Sequence, residues 1–409
     1  MSRLSFIQNI VPSFSETNWL PSFLRKQPAL PISELCDSMM SSDGEYSSLI
    51  LAAEILDRYE QMDATDKKAF FSRLATEYDL SAEALVGSAQ NYSNDNTAAN
   101  LEKLRLAATP QSTRFFQQLN QVPDATARLV KMRADLLQML REEPDFKKLD
   151  IEMVSLFRNW FNRGFLEMRR IDWATPAHIL EKIIAYEAVH EISSWQELRA
   201  RVEPEDRLCF AFFHPAMDSE PLVFVEVALG KELPDSINFI LETDREGVKP
   251  TDATHAIFYS ISNCHLGLAS VSFGNFLIKQ VVAHLQSLMP QIKVYATLSP
   301  VPKFAAWQSD NEAAPIKDKP IQNQAAEYLL NAKSPKGLPY DPVERFHLKN
   351  GARLERINVD ADLSQKGLAQ SKGVMVNYVY DLKSVVENHE DYQSKLSIKC
   401  ASQVKSLLK

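Results

Sequence analysis

Glycine is scarce in this chain of 409 residues, with only 11 in all. Nine of them lie at or beyond Gly164, and the first 163 residues contain only Gly44 and Gly87. A long stretch with so little glycine is typical of helices, because glycine disfavours helix interiors. The distribution therefore predicts two kinds of structure, divided near residue 165.

The N-terminal part shows apolar residues at helical spacing, as in Phe70, Leu74 and Tyr78. A second face comprises Leu129, Met132, Leu136 and Leu140, and Asp124 is its predicted N-cap. We expect six to eight helices here. Because the segment offers no evident reactive residues, a helical bundle over residues 1–165 that serves oligomerisation is the favoured interpretation.

An excess of basic residues is also missing, since 45 Lys and Arg face 53 Asp and Glu, for a net charge of −8. This balance argues against a surface that binds nucleic acid or anionic lipid. The four cysteines are widely scattered, which fits a reducing compartment and a cytoplasmic location, with a mitochondrial one only for a eukaryotic source. No partner of either polyanionic kind is expected.

A membrane span is not expected either. The longest stretch without Asp, Glu, Lys or Arg covers residues 253–278, but its serines, asparagines and His265 would be costly in hydrocarbon. Phosphate-loop, dinucleotide, nucleophile-elbow and zinc-protease motifs are all missing, and the eight histidines are dispersed. The sequence therefore predicts no metal site.

Short β-rich runs begin beyond residue 168 and alternate with helical segments. The expected strands are 208–213, 222–229, 256–260, 292–298, 352–359 and 374–380. The expected helices are 176–189, 275–289, 322–332 and 383–407. The class is therefore α+β, a helical bundle followed by a mixed α/β domain over residues 166–409.

Three local patterns carry possible chemistry, and each has a plainer interpretation. The polar run from Phe258 to Lys279 lies between a strand and a helix, where backbone amides could hold a pyrophosphate or simply form a connection. Ser299 before Pro300 is typical of an N-cap, and local sequence alone favours that role. His347 precedes Asn350-Gly351, a pattern more often seen in a histidine near a turn than in a catalytic one.

Taken together and in this order, the patterns resemble the catalytic half of the malonyl-CoA decarboxylase family. The resemblance rests on AIFYSISNCHLGLASVSFGNFLIKQVV and TLSPVPKFAAW within residues 256–307, and on FHLKNGARLERINVDADLSQKGLAQSKGVMVNY over residues 346–378. It extends upstream through residues 162–166 and 221–229 and covers most of the chain after residue 160. It implies a GNAT-like, acyl-CoA N-acyltransferase-like catalytic domain.

The resemblance also implies the roles of individual residues. Ser299 and His347 match a catalytic pair, and Ser260 matches another active-site serine. The coenzyme A arm is expected to lie over a loop with its pyrophosphate facing the following helix; the loop comprises Ala269, Ser270, Val271, Ser272, Phe273, Gly274 and Asn275. Animal members carry a glutamate at position 272, so no carboxylate role is carried over to Ser272. The stretch between Trp307 and Phe346 is also shorter than in those members.

The implied reaction converts malonyl-CoA to acetyl-CoA and CO2 without a cofactor, because the thioester itself accepts the electrons. His347 would give a proton to the carbanion, since an unperturbed histidine can donate near neutrality, and Ser299 would be its hydrogen-bonding partner. Two alternatives stay open: a GNAT-type acyl-CoA N-acyltransferase and a non-catalytic acyl-CoA-sensing assembly protein. The expected partners are malonyl-CoA, acetyl-CoA and further copies of the chain, as a homodimer or homotetramer.

Overall fold

The computed structural model describes residues 30–42, 44–271, 274–311 and 315–409. These residues form two compact units. The first comprises the described residues up to Trp160 together with Leu266–Leu268, and the second comprises Phe161–His265 and the described residues of Ala269–Lys409. Among the described residues, no helix is both long enough and apolar enough to span a bilayer.

The first unit is helical, as the glycine distribution predicts. Its described α-helices are α1 (Ile32–Ser41), α2 (Glu45–Gln61), α3 (Ala64–Glu77), α4 (Ala82–Asn94), α5 (Ala98–Ala107), α6 (Gln111–Leu119), α7 (Ala125–Met139) and α8 (Lys147–Trp160).

The apolar faces read from the sequence do lie in the core of the first unit. Phe70, Leu74 and Tyr78 are buried, and so are Leu129, Met132 and Leu136, whereas Leu140 is half-buried. Asp124 occupies the predicted N-cap position of α7, but the side-chain capping expected of it is absent. Asp124 immediately precedes α7 but has a left-handed backbone with φ of 62°, and its side chain makes no cap hydrogen bond.

The second unit is built on one eight-stranded sheet in the order β1-β2-β3-β4-β5-β8-β6, with β7 also paired to β8. Its strands are β1 (Glu167–Ile171), β2 (Arg207–Phe213), β3 (Pro221–Gly230), β4 (His255–Asn263), β5 (Val294–Thr297), β6 (Ser299–Pro300), β7 (Arg353–Asn358) and β8 (Met375–Tyr380). All six expected strands are present. The sequence missed β1, an edge strand whose residues are mostly exposed and carry little apolar signal.

Ten α-helices accompany this sheet in the described chain. They are α9 (Ala177–Tyr186), α10 (Trp195–Val202), α11 (Asn238–Leu241), α12 (Gly274–Leu288), α13 (Phe304–Asp310), α14 (Ile321–Asn331), α15 (Pro342–Lys349), α16 (Gln365–Ser371), α17 (Val385–Lys395) and α18 (Ser402–Ser406). The single helix expected over 383–407 was wrong. The chain turns at Leu396, with φ of 51°, and Leu354 of β7 then bonds the backbone of Lys399 and Ala401.

Both faces of the sheet are covered by helices. Ile179 and Ile183 of α9 pack with Cys209 and Ala211 of β2 on one face. Phe210, which alternates with these strand residues, contacts His284 of α12 with ring centroids 5.5 Å apart. Because successive strand residues point to opposite faces, α12 lies on the face opposite α9.

A gap opens in the middle of the sheet. β4 pairs in parallel with β5 only from His255 to Phe258, opposite Val294 to Thr297. Beyond that point β4 continues to Asn263, still paired with β3, and the register with β3 shifts opposite Tyr259. Such a bulge bends and twists a strand, and bulges are common next to active sites.

Candidate active site

A cavity of about 320 Å³ occupies this gap. Its walls come from β4, β6, α15 and the loop after α9. The lining residues are Val189, Phe258, Tyr259, Ile261, Asn263, Ser299, Pro300, Pro342, Val343, Phe346 and His347. The cavity thus contains both members of the predicted catalytic pair.

Helix α15 places His347 in the cavity. It begins at Pro342 and is capped by Asp341, whose side chain accepts hydrogen bonds from the amides of Val343 and Glu344 at 2.8 and 3.0 Å. It ends at Asn350, and the following Gly351 has φ of 86°. The Asn350-Gly351 pattern therefore marks the end of a helix that carries His347, and not simply a turn.

The sequence missed α15, although its signal was present. Asp341 followed by Pro342 is an N-cap followed by proline at the first helical position. A side chain added to Gly351 would lie 2.0 Å from the carbonyl oxygen of Val385, so a larger residue there would force the turn apart. The sequence thus specifies both ends of the helix that carries His347.

A hydrogen-bond chain runs through His347. Its Nε2 lies 3.0 Å from Ser299 Oγ, and its Nδ1 lies 2.8 Å from the Tyr380 hydroxyl. Ser299 Oγ donates to Thr297 Oγ1 at 2.8 Å. Because a serine has one hydroxyl proton, Nε2 must carry the proton shared with Ser299, and Tyr380 then donates to Nδ1.

Burial keeps the imidazole neutral. It lowers the pKa of His347 to about 3, and it raises the pKa of Tyr380 well above its ordinary value. Tyr378 stacks on the imidazole with centroids 4.6 Å apart. The expectation that His347 has a nearly ordinary pKa is therefore not met in this cavity.

The carboxyl groups of Asp341 and Glu344, at the start of α15, are not the hydrogen-bond partners of His347. Burial, followed by the nearby carboxyl of Asp341, raises the pKa of Glu344 well above its ordinary value, and burial also raises that of Asp341. Within the described chain neither carboxyl oxygen of Glu344 has a hydrogen-bond partner. A tyrosine hydroxyl, not a carboxylate, thus orients the histidine.

The N-cap role that local sequence favours for Ser299 was wrong. Ser299 lies in β6, where it pairs with Val376 of β8, and α13 begins only at Phe304. Its side chain is buried and bonds Thr297 and His347. The strand pairing therefore directs the hydroxyl to the histidine.

Ser260 lies on the same strand as four cavity-lining residues, but its hydroxyl has another partner. Ser260 Oγ donates to the carboxylate of Glu187, 2.8 Å from both oxygens, and Ser262 Oγ lies 3.0 Å from Glu187 Oε2. The structure thus brings Ser299 and His347 into direct contact and joins Ser260 to a different group. The sequence did not single out Glu187, Thr297 or Tyr380.

The predicted coenzyme loop is described in part. Ser272 and Phe273 lie outside the described residues, and Gly274 opens helix α12, one residue before the expected start. Val271 is buried, and Ser270 has a left-handed backbone with φ of 67°. A helix does follow the loop, as expected, and the ligand assigned to the loop stays a prediction.

A buried acid lies on β3 beside this cluster. Burial and then the Glu187 carboxylate raise the pKa of Glu226 to about 8, against the lowering effect of Arg201, whose Nη1 lies 3.2 Å from Glu226 Oε2. In the unfolded chain the carboxyl has its ordinary pKa of 4.5. The folded protein therefore keeps a proton that the unfolded chain releases, and the free energy of unfolding falls as pH rises between these two values.

Glu226→Gln should remove this pH dependence. The difference in unfolding free energy, variant minus wild type, is expected to increase by roughly 1–3 kcal/mol between pH about 5.5 and about 8. Urea unfolding at the two pH values measures it. Exposed Glu242 provides the control variant Glu242→Gln, which should show no such trend. A pH-independent difference for Glu226→Gln would place the carboxylate charge in the folded core.

The second unit therefore has the mixed α/β architecture that the sequence predicts, and its cavity is lined by a histidine–serine pair. Fold and site together define a chain with one helical unit and one α/β unit, the second of which has a buried histidine–serine pair in a gap of its sheet. Its nearer relationships come from comparison with known proteins.

Residues 164–318 and 305–409 match the family model "Malonyl-CoA decarboxylase C-terminal domain", and residues 78–161 match "Malonyl-CoA decarboxylase N-terminal domain". "Malonyl-CoA decarboxylase, mitochondrial" of Mus musculus is 30% identical over 438 residues, covering 94% of this chain and 87% of that protein. The chain belongs to the malonyl-CoA decarboxylase family.

Two solved structures of malonyl-CoA decarboxylases are similar to this chain in sequence and fold. The crystal structure of malonyl-CoA decarboxylase from Rhodopseudomonas palustris is 43% identical, with a TM-score of 0.87 and coverage of 92% of this chain and 98% of that chain. That from Agrobacterium vitis is 42% identical, with a TM-score of 0.88 and coverage of 92% and 99%.

Proposed function

We propose that the chain decarboxylates malonyl-CoA to acetyl-CoA and CO2 without a cofactor, in the cavity that contains Ser299 and His347. The observation that carries this proposal is the hydrogen-bonded pair itself, buried in the sheet gap with a neutral imidazole. Membership of the malonyl-CoA decarboxylase family supports the choice of substrate.

The sheet gap suits an extended acyl-thioester arm. Cys264 donates its amide proton to Leu222 of β3, and bonds to a neighbouring strand alternate along an antiparallel pair. The amides of Ile261 and Asn263 therefore point away from β3, into the gap that β5 leaves. These backbone groups can bond the arm, while the coenzyme pyrophosphate faces the amides that open α12 at Gly274.

The malonyl carboxylate would enter a cavity with no cation in its wall, because none of its described lining residues is Lys or Arg. A carboxylate without water or a counter-charge is poorly stabilised there, whereas neutral CO2 is not penalised. The bond between the α-carbon and the carboxylate breaks, CO2 leaves, and the electron pair moves into the thioester as an enolate. Hydrogen-bond donors already in place stabilise this charge.

His347 then completes the reaction at carbon. The neutral imidazole gives its Nε2 proton to the enolate carbon, and the hydrogen bond that Tyr380 donates at 2.8 Å stabilises the negative charge that develops at Nδ1. A neutral imidazole is an accepted acid in enzymes that stabilise enolates. Ser299 accepts the hydrogen bond of Nε2 and so orients the imidazole, and solvent restores the lost proton after acetyl-CoA leaves.

Ser299 is not assigned as an acyl-forming nucleophile. Nucleophilic triads orient their histidine with a carboxylate that stabilises the imidazolium. Here a tyrosine hydroxyl takes that position, and burial disfavours the imidazolium. The pair is thus built for proton delivery and hydrogen bonding.

Incubation with malonyl-CoA, first alone and then with an added amine, tests the proposed function. Formation of acetyl-CoA and CO2 is expected. Acyl transfer to an added amine without CO2 release would establish the acyltransferase alternative, and saturable binding without turnover would establish an acyl-CoA sensor.

The assembly proposal needs a surface other than the apolar face of α7. Leu129, Met132 and Leu136 are buried in the core of the first unit and are therefore not available to a second copy of the chain. Helices α4 and α5 have no buried residues, and exposed Val86 and Leu106 lie on them. We propose that this helical pair packs against a second copy of the chain, because large apolar side chains are costly to leave in water.

Light scattering should therefore give a mass well above the 46.3 kDa of one chain. Val86→Asp with Leu106→Asp should shift the protein toward a monomer, while Lys103→Asp on the same helical pair provides the polar control. A wild-type monomer at micromolar concentration would refute the assembly proposal.

A further inference from the structure

The carboxylate of Glu187 is the hub of a hydrogen-bond cluster that joins two segments of the cavity wall. Glu187 immediately follows α9, and its Oε1 accepts from the amides of Val189 and His190 at 2.8 and 2.7 Å. The same carboxylate accepts the hydroxyl protons of Ser260 and Ser262. One side chain therefore ties the loop after α9 to β4.

The serines complete the connection. The Ala188 amide donates to Ser262 Oγ at 3.1 Å. Three consecutive loop amides, those of residues 188–190, thus find their acceptors in Glu187 and Ser262. The loop has no strand or helix of its own, so these hydrogen bonds help to fix its backbone, together with those that Lys366 Nζ donates to the carbonyls of Ala188 and Val189.

Both tied segments form the cavity wall. Val189 lines the cavity from the loop, and Ile261 and Asn263 line it from β4. Ser260 and Ser262 alternate with these two residues, so the wall residues and the anchoring residues occupy opposite faces of one strand. A displacement of Ser260 and Ser262 would therefore also displace Ile261 and Asn263, which line the cavity.

The hub also restricts what Ser260 can do. A carboxylate has no proton to give, so the single hydroxyl proton of Ser260 must go to Glu187. Ser260 is then unable to donate to a substrate while that bond exists. The hydrogen bonds of Ser260 to Glu187 indicate that Ser260 anchors the loop after α9 to β4.

We propose that Glu187 is a positioning residue for the reaction, acting through Ser260 and Ser262 to hold the Val189 loop and β4 at the spacing that malonyl-CoA requires. This inference rests on the proposed function. Small displacements of a cavity wall are costly, since misplacement by about 1 Å can lower a rate by about 100-fold.

The test combines Glu187→Gln with the paired serine variants. Glu187→Gln should lower kcat/KM for malonyl-CoA by about tenfold to 100-fold, mainly through a raised KM. In protein that already carries Ser260→Ala and Ser262→Ala, the same change should cost less than about twofold, because the groups act as one unit.

A nearby glutamate provides the matched control. Glu197 of α10 also accepts a loop amide, that of Ser193 at 2.8 Å, and it does not line the cavity. Glu197→Gln should change the melting temperature but not KM. If Glu187→Gln fails to fold, Ser262→Ala alone should still raise KM.

Three results would overturn the inference: an unchanged KM in Glu187→Gln, a full effect in the serine-free background, or an effect on melting temperature alone as in Glu197→Gln. Absence of turnover by the wild type would instead refute the proposed function, so the two failures are distinguishable.

Discussion

Exchange of His347 for asparagine is expected to lower kcat for malonyl-CoA by about 100-fold or more, the usual scale for loss of a positioned acid. Asparagine is too short to reach both Ser299 and Tyr380, so the proton path to carbon is broken. Coenzyme A binding should persist, because the arm is assigned to the sheet gap and the α12 loop. Turnover and calorimetric binding measure the two effects.

His178 provides the control for this variant. It is exposed on α9, and His178→Asn should leave both kcat and binding unchanged. Turnover near the wild-type rate in His347→Asn would remove His347 from the mechanism.

Ser299→Ala is expected to lower kcat by about 100-fold with little change in melting temperature, because Ser299 accepts the Nε2 proton of His347 and its loss misplaces the acid. The structure supports this split, because Ser299 caps no helix. A lower kcat at an unchanged melting temperature would show that Ser299 acts in catalysis and not as a helix cap.

Ser364 is the matched control, since it is a genuine cap. Its Oγ accepts the amide of Gly367 at 3.0 Å at the start of α16. Ser364→Ala should cost about 0.5–2 kcal/mol of stability with turnover preserved. A destabilised but fully active Ser299→Ala would contradict the role proposed for Ser299.

Strands and helix faces were predictable because they depend on local periodicity. Phe70 and Leu74 are buried as their spacing predicts, and all six expected strands exist. Strand β1 was not predicted because an exposed, polar edge strand has few apolar residues to reveal it. The helix break at Leu396 was not predicted because the segment after it is bonded to Leu354, which is distant in the sequence.

The site was predictable only through the family resemblance. Ser299 looks like a cap locally, and only its pairing with Val376, which is far along the chain, turns it toward His347. The pKa of His347 was misjudged for the same reason, since its burial depends on tertiary structure. The Glu187 hub likewise joins residues more than 70 positions apart.

The most direct test of the central claim is decarboxylation of malonyl-CoA in heavy water, with no amine or cofactor added. Mass spectrometry should find acetyl-CoA that gains about one deuteron on its methyl carbon, with equimolar CO2, because solvent supplies the proton that His347 delivers. His347→Asn should form this product at least about 100-fold more slowly. Unchanged malonyl-CoA with the wild-type protein, or equal rates for the two proteins, would contradict the account.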